Sequence, residues 1–348
     1  MSARSSEFLE LKGLDWQAFE PSIRARLVER AFGYWRRAGF PHYSLTHAEI
    51  LREYENLAAQ AVSPISKSGI GGSTTGLRLA NFFQPQMWSV RVSRYLSPHD
   101  VFIDDGLLRA AIRRSWSIWP DRFGANPATL RRILKTFPGT ASVSNFRPTV
   151  ARSVFGYFSE EGSTVVDFSA GYGGRLLGSL PLKRHYIGIE PCRAQKKGLM
   201  MMLQALRGAH TLGSAEILHG CAEDLMPGLP RSCADLVFSS PPYFNWERYS
   251  NDPSQSFIRH ATYEAWKEGF LRPVLNESAR VLRKGGCLVL NISGRGRRPQ
   301  TPEVKIMCRA AGLRFVGSIP MLISKVPYMH PRNNRPHKLE ILLVFAKR

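Results

Sequence analysis

Thr164-Val-Val-Asp-Phe-Ser-Ala-Gly-Tyr-Gly-Gly-Arg-Leu-Leu177 passes from a strand through a glycine turn into a helix. The β-branched start favours extended chain. Gly171 and Gly173 then admit positive φ and let the backbone approach a ligand closely. Outward from this stretch the alternation repeats. Tyr186–Glu190 is a second strand with the helix Arg193–Leu206 behind it, Glu216–His219 a third and Asp235–Phe238 a fourth. A helix over Tyr263–Leu282, kinked at Pro273, leads through Gly285-Gly286 to a fifth strand, Cys287–Ile292. Leu313–Ile319 and Leu339–Phe345 close the chain as two more strands. Such βα alternation specifies an α/β fold with a doubly wound, mostly parallel sheet. Sheets of this kind bind ligands beyond the carboxyl ends of their strands.

The chain before residue 141 has a different character. Residues 15–38 carry apolar side chains at helical spacing, and Thr46 is a suitable N-cap for a helix His47–Ala61. Residues 63–76 are rich in Gly and Ser and are expected to form a mobile loop or hinge. From Leu77 to Trp119 arginines alternate with aromatic residues, and Asp100–Trp116 and Pro127–Phe137 have helical patterns. Arginine beside aromatics can bind nucleic acid through phosphate contact and stacking, although most of these rings are needed as core. Two domains are expected. Residues 1–140 are expected to form a mainly helical region with nucleic-acid-binding potential, and residues 141–348 the sheet domain.

The net charge of +21 is unevenly placed. Residues 63–150 hold twelve Lys and Arg against four Asp and Glu, and residues 283–348 hold fourteen against two. Solubility alone does not require such segregation, so a polyanion-binding surface is favoured. No apolar run has the length of a membrane span, and MSARSSEFLELKG contains no hydrophobic leader. A cytoplasmic location is expected. The five cysteines form no Cys-x-x-Cys pair, so neither a metal site nor a disulfide framework is expected.

The fourth strand ends in Ser239-Ser-Pro-Pro-Tyr-Phe-Asn-Trp-Glu-Arg-Tyr249. Pro241-Pro242 has no N–H to offer and forces the chain off the sheet. A hydroxyl and free carbonyls beside Tyr243, Phe244, Trp246 and Tyr249 could hold a planar amine while stacking on its ring.

The tetrad Ser240-Pro241-Pro242-Tyr243 resembles the catalytic motif of the amino-group DNA methyltransferases, in which Asp, Asn or Ser precedes Pro-Pro-Tyr. The serine form is most similar to the cytosine-N4 branch. Asp167–Gly173 resembles the first motif of class I S-adenosylmethionine-dependent methyltransferases, Glu190 their second, and Ser144-Asn-Phe-Arg-Pro-Thr-Val150 the segment that folds over the cofactor's methionine end. The resemblance covers residues 142–348 and implies a Rossmann-like sheet of seven strands with an antiparallel last strand. Under it the cofactor-binding residues are Asn145, Phe146 and Arg147, then Asp167, Phe168, Ser169, Gly171 and Gly173, then Glu190, Ala222, Glu223 and Ser239. Where such enzymes often carry an acid after the glycine of the third strand, this chain has Cys221, leaving the Ala222 main chain or Glu223 to serve.

The resemblance further implies double-stranded DNA as partner, with the target base flipped out. Tyr243 would stack on the base, while the Ser240 hydroxyl and Pro241 carbonyl accept hydrogens from its amine. Loops leaving the fifth and sixth strands place Arg295, Arg297 and Arg298, with Lys325, Arg332 and Arg335, on the same edge as phosphate contacts. A cognate restriction enzyme is a candidate partner, as in restriction–modification systems. Adenine-N6 methylation, an RNA amino-methyltransferase and a non-catalytic DNA-binding protein that kept the fold are the alternatives. A dinucleotide enzyme is the rival for the glycine turn, but the spacing is not Gly-x-Gly-x-x-Gly.

Overall fold

Val165 and Val166, buried on opposite faces, anchor the middle of a seven-stranded sheet in the computed structural model. The structure describes residues 16–66, 69–118, 126–292, 300–322 and 339–348. The strands are β1 (Thr164–Asp167), β2 (His185–Glu190), β3 (Ser214–His219), β4 (Ala234–Ser239), β5 (Leu282–Asn291), β6 (Leu313–Leu322) and β7 (Leu339–Lys347). Their order is β3-β2-β1-β4-β5-β7-β6. The first five are parallel, and β7 runs antiparallel to both β5 and β6. This is the seven-stranded, mostly parallel sheet with an antiparallel last strand expected from the sequence.

Both faces are covered, which is why β1, β4 and β5 read as continuous apolar runs rather than alternating ones. One face packs Val165, Leu236, Phe238 and Val289 against Val150, Val154 and Phe155 of a helix, Pro148–Phe158. The other packs Val166, Val237, Leu288 and Leu290 against Trp266, Phe270 and Val274. The helix expected over Tyr263–Leu282 is interrupted by a π turn, Lys267–Leu271, before Arg272–Val281. Pro273 has no N–H to offer the carbonyl of Gly269, four residues back and inside the π turn, so the interruption falls over the turn that the proline disrupts.

The chain forms two units, residues 1–44 with 85–144 and residues 45–84 with 145–348. This departs from the division expected at residue 140. The reason is burial: Tyr54, Leu57, Ile70 and Leu79 belong to the core on the Val165 face. The helix His47–Ala59 carries the expected Thr46 cap, completed by Glu49 as a capping box. Residues 69–76 are docked rather than a free hinge. Ile70 is fully buried, donates to the Pro320 carbonyl at 2.7 Å and accepts from Leu322 N at 2.9 Å.

The other unit is helical, with helices Pro21–Ala38, Pro98–Ile103, Asp105–Ile118 and Pro127–Thr136. The single helix expected over Asp100–Trp116 is two, because Asp104 caps the second by accepting from Leu107 N at 2.8 Å. Trp16, Trp35 and Trp116 are buried in its core. Arg109 lies 3.6 Å from the Phe32 ring centroid and pairs with Glu29, so part of the arginine–aromatic interleaving is internal. Among the described residues no helix is long and apolar enough to cross a membrane.

Candidate active site

β1 and β4 are parallel neighbours, with Val165 opposite Leu236 and Val166 opposite Val237. Their carboxyl ends therefore coincide, and the side chains there meet. Ser239 Oγ donates to Asp167 Oδ1 at 2.8 Å, one residue before the tetrad. Asp167 is almost wholly buried, and both its oxygens are occupied. Arg175 Nε and the Tyr186 hydroxyl donate to Oδ2 at 2.7 and 2.6 Å, and Ser169 N donates to Oδ1 at 3.2 Å. Arg175, itself buried, also donates to the Ser169 carbonyl. Asp167 thus braces the glycine turn from below.

Within the turn Gly171 and Gly173 both have positive φ, 58° and 83°. Gly173 is also tight, since a Cβ there would fall 2.7 Å from Leu199. Gly171 faces open space, with only the Ser169 carbonyl 3.6 Å from such a Cβ. Asn145 ties the turn down. Its Oδ1 accepts from Gly174 N at 3.0 Å, and its Nδ2 donates to the Tyr172 carbonyl at 2.9 Å. Phe146 packs edge-on to Phe238, 5.5 Å between centroids, and Arg147 donates to the Gly72 carbonyl at 3.0 Å. Phe168 is core on the far face.

Glu190, at the end of β2, is buried and accepts from Gly171 N at 2.8 Å and Cys192 N at 2.9 Å. The Gln195 amide, turned with its nitrogen toward the acid, donates to the two oxygens at 2.6 and 3.1 Å. Burial pushes the Glu190 carboxyl up to about 8, against the pull of the Cys192 and Gly171 N–H groups. The sign follows from linkage. A carboxyl raised in the folded chain stabilises it fully below the unfolded value near 4.5 and loses that contribution as pH rises through about 8. Between pH 6 and 9 the native chain should lose on the order of 2 kcal/mol more stability than Glu190→Gln. Urea midpoints at the two pH values measure this.

At the third strand end Ala222 is buried. Glu223 pairs with Arg259 at 3.2 Å, and burial raises its carboxyl. In the tetrad the Ser240 hydroxyl donates to the Asn291 carbonyl at 3.3 Å. Tyr243 is half-buried against the Trp266 cluster. The next residue, Phe244, has φ of 52°, a left-handed conformation that a bulky residue adopts only under constraint. The four rings expected as one platform diverge. Phe244 turns to Tyr263 and Trp266, 5.9 and 6.0 Å away, while Tyr249 sits 6.0 Å from Tyr172 and bonds Glu247. Arg295, Arg297, Arg298, Lys325, Arg332 and Arg335 lie outside the described residues.

Residues 234–348, which contain β4 to β7 and the tetrad, match the profile of a family described as DNA methylase, the N6 and N4 amino-group enzymes. Through this segment the chain is similar to the DNA methylase family. No curated protein matches it. Among solved structures, a Thermus thermophilus protein carrying the description DNA modification methylase is 26% identical over 37% of this chain and 50% of its own, with a TM-score of 0.27. An S-adenosylmethionine-dependent methyltransferase from Methanosarcina mazei is 12% identical over 56% of this chain and 96% of its own, at 0.40.

S-adenosylmethionine is the cofactor that the sequence resemblance implies, and the residues at the strand ends fit it in part. A carboxylate can accept about four hydrogen bonds, and Glu190 takes four N–H···O contacts from three groups, of which the Gln195 amide can yield one oxygen to a ribose hydroxyl. The open side of Gly171 leaves the backbone approachable. Asn145 and Asp167 fit as supports of the turn, their polar atoms being engaged within the chain.

Sequence reasoning missed two features. Asn291, at the end of β5, is buried with its Oδ1 unpartnered among the described residues. A groove of about 390 Å3 is lined by Arg193, Lys196, Lys197, Met200 and His219. The first four fall at i, i+3, i+4 and i+7 of the helix Arg193–Ala205, hence on one face. Near-balanced charge over residues 151–282 hid this cluster, which helical spacing would have found.

Proposed function

We propose that the chain transfers a methyl group from S-adenosylmethionine to the exocyclic amine of a base flipped out of duplex DNA, with cytosine N4 as the preferred acceptor. The observation that carries this is the Ser239–Asp167 hydrogen bond, which fixes the tetrad beside the glycine turn at one edge of the sheet. Bound there, the cofactor supplies an electrophilic methyl on a sulfonium. Glu190 and the Gly171 main chain hold its adenosine, with Ala222 and Glu223 at the third strand end. Asn145, Phe146 and Arg147 keep the glycine turn, β4 and residues 69–76 in register around it.

Ser240 and the Pro241 carbonyl accept the amine's hydrogens, and Tyr243 stacks on the flipped ring. Positioning provides most of the rate, since reacting groups held in line gain what a bimolecular encounter loses. The serine in the tetrad supports cytosine over adenine. Mass spectrometry of nucleosides from methylated DNA, with structured RNA treated in parallel, tests the assignment. N4-methylcytosine in DNA is the expected product. N6-methyladenine would move the assignment to that base, and methylation of RNA alone would overturn it.

Recognition falls to residues within 1–140 and to the basic loops, with Arg94, Arg113 and Arg114 exposed on the helical unit. The Arg193–Lys197 groove supplies phosphate contacts on the sheet unit. Among the described residues none of its three cations has an ion pair within 4.0 Å, although Asp252 lies near Arg193 and His219. Replacing all three with Gln should lower the slope of log affinity against log salt by about 2 to 3, at about 0.9 per phosphate contact. Duplex titrations between 50 and 200 mM salt would reveal it.

A further inference from the structure

We propose that Asn291 is a further acceptor for a ligand amino group, sharing with Ser240 the hydrogen that the Pro241 carbonyl does not take. The inference rests on the methyl-transfer reading above and adds one contact to it. In the β4–β5 register Ser239 lies opposite Leu290, so the next pair along is Ser240 and Asn291. Alternation puts both side chains on one face. Phe238 and Val289, two residues before each, belong to the cluster on the Val165 face, whereas Leu288, Leu290 and Ile292 belong to the other. That face carries Phe146 and the residues expected to line the cofactor.

The amide orientation is set by a neighbour. Asn291 Nδ2 donates to Glu340 Oε2 at 3.2 Å, so the oxygen is the atom left over. The residue is 4% exposed, and Oδ1 has no partner among the described residues. A buried acceptor without a donor is costly and calls for an explanation. Ser240 supplies the complementary part. Its hydroxyl proton is directed to the Asn291 main-chain carbonyl, which leaves the Ser240 oxygen to act only as an acceptor. Two acceptors then lie on adjoining strand ends beside the tetrad.

An exocyclic amine has two hydrogens to give: one goes to the Pro241 carbonyl, and the other is shared between Ser240 Oγ and Asn291 Oδ1. A base with an oxo group at the same position would set one more acceptor against these three, and such mismatches are rejected strongly. Asn291 thus helps a site select cytosine over thymine. The same chemistry is available from the cofactor's ammonium, and the test separates the two sources.

The full chain and its Asn291→Leu form, which keeps the volume and loses the acceptor, are compared for tritiated methyl transfer to unmodified DNA, cofactor affinity by calorimetry and thermal midpoint. We expect kcat to fall about 10- to 100-fold, with the midpoint, KM for DNA and cofactor Kd little changed. The paired change Asn291→Asp/Glu340→Gln keeps an acceptor at 291 and reverses the supporting hydrogen bond, and should recover most of the loss. If Asn291→Leu instead weakens cofactor binding about 10-fold and preserves kcat at saturation, the amino group is the cofactor's. Wild-type kcat together with wild-type cofactor affinity overturns the proposal, as does a loss that follows the midpoint and is not rescued by the pair. A folded wild-type chain that neither binds the cofactor nor methylates DNA overturns the methyl-transfer reading itself, and the inference with it.

Discussion

Tyr243→Ala should lower methylation by about 100-fold or more while the cofactor Kd stays within a few-fold of wild type. Stacking on a base is worth about 1–3 kcal/mol, and an amine displaced by an ångström loses about as much again through misalignment. Ser240→Ala should behave similarly with a smaller loss, because the Pro241 carbonyl remains. The separation between rate and cofactor binding is the informative part. Tyr243 packs on the Trp266 side of the sheet, away from the Glu190 contacts. Single-turnover transfer on unmodified DNA, alongside calorimetry with the cofactor, measures both. Unchanged transfer in both variants would contradict the roles given to the tetrad.

Arg175→Leu should destabilise the sheet unit by about 3–5 kcal/mol, the usual cost of leaving a buried charge without its partner. Asp167 would keep the Tyr186, Ser239 and Ser169 donors, so the low end of that range applies. Across a domain of this size the thermal midpoint should drop by about 10 °C. Asp167→Asn/Arg175→Leu should recover part of the loss, since neither charge then remains buried. Calorimetric melts of the three proteins decide it. A single variant as stable as wild type would mean that the Asp167–Arg175 pair does not brace the turn.

The sheet was legible because its strands are buried on both faces and spell apolar runs, as in Leu236–Phe238 and Leu288–Leu290. The glycine turn and the tetrad were legible because they break those runs with Gly and Pro. What escaped was whatever depends on partners distant in sequence. Arg175 looks like an ordinary helix residue until β1 and β2 bring Asp167 and Tyr186 to it. Asn291 looks like the polar end of a strand until β7 delivers Glu340. The ring cluster was overread, because spacing along a loop does not say where each side chain turns, and the positive φ at Phe244 sends them apart. Asn145 lies in the segment expected to meet the cofactor, but its amide is spent on Gly174 and Tyr172.

The polypeptide crosses between its two bodies at residues 44–45, 84–85 and 144–145. Asn81 and Asn145 are joined side chain to side chain at 3.3 Å, so the chain departs and returns near the same spot on the sheet unit. Residues 85–144 therefore form a loop-out whose ends are already pinned together. A lineage could lengthen or shorten that excursion without shifting a strand of the seven-stranded sheet. Cutting the chain at residue 140 would do the opposite, stripping Tyr54, Leu57, Ile70 and Leu79 from the core they complete.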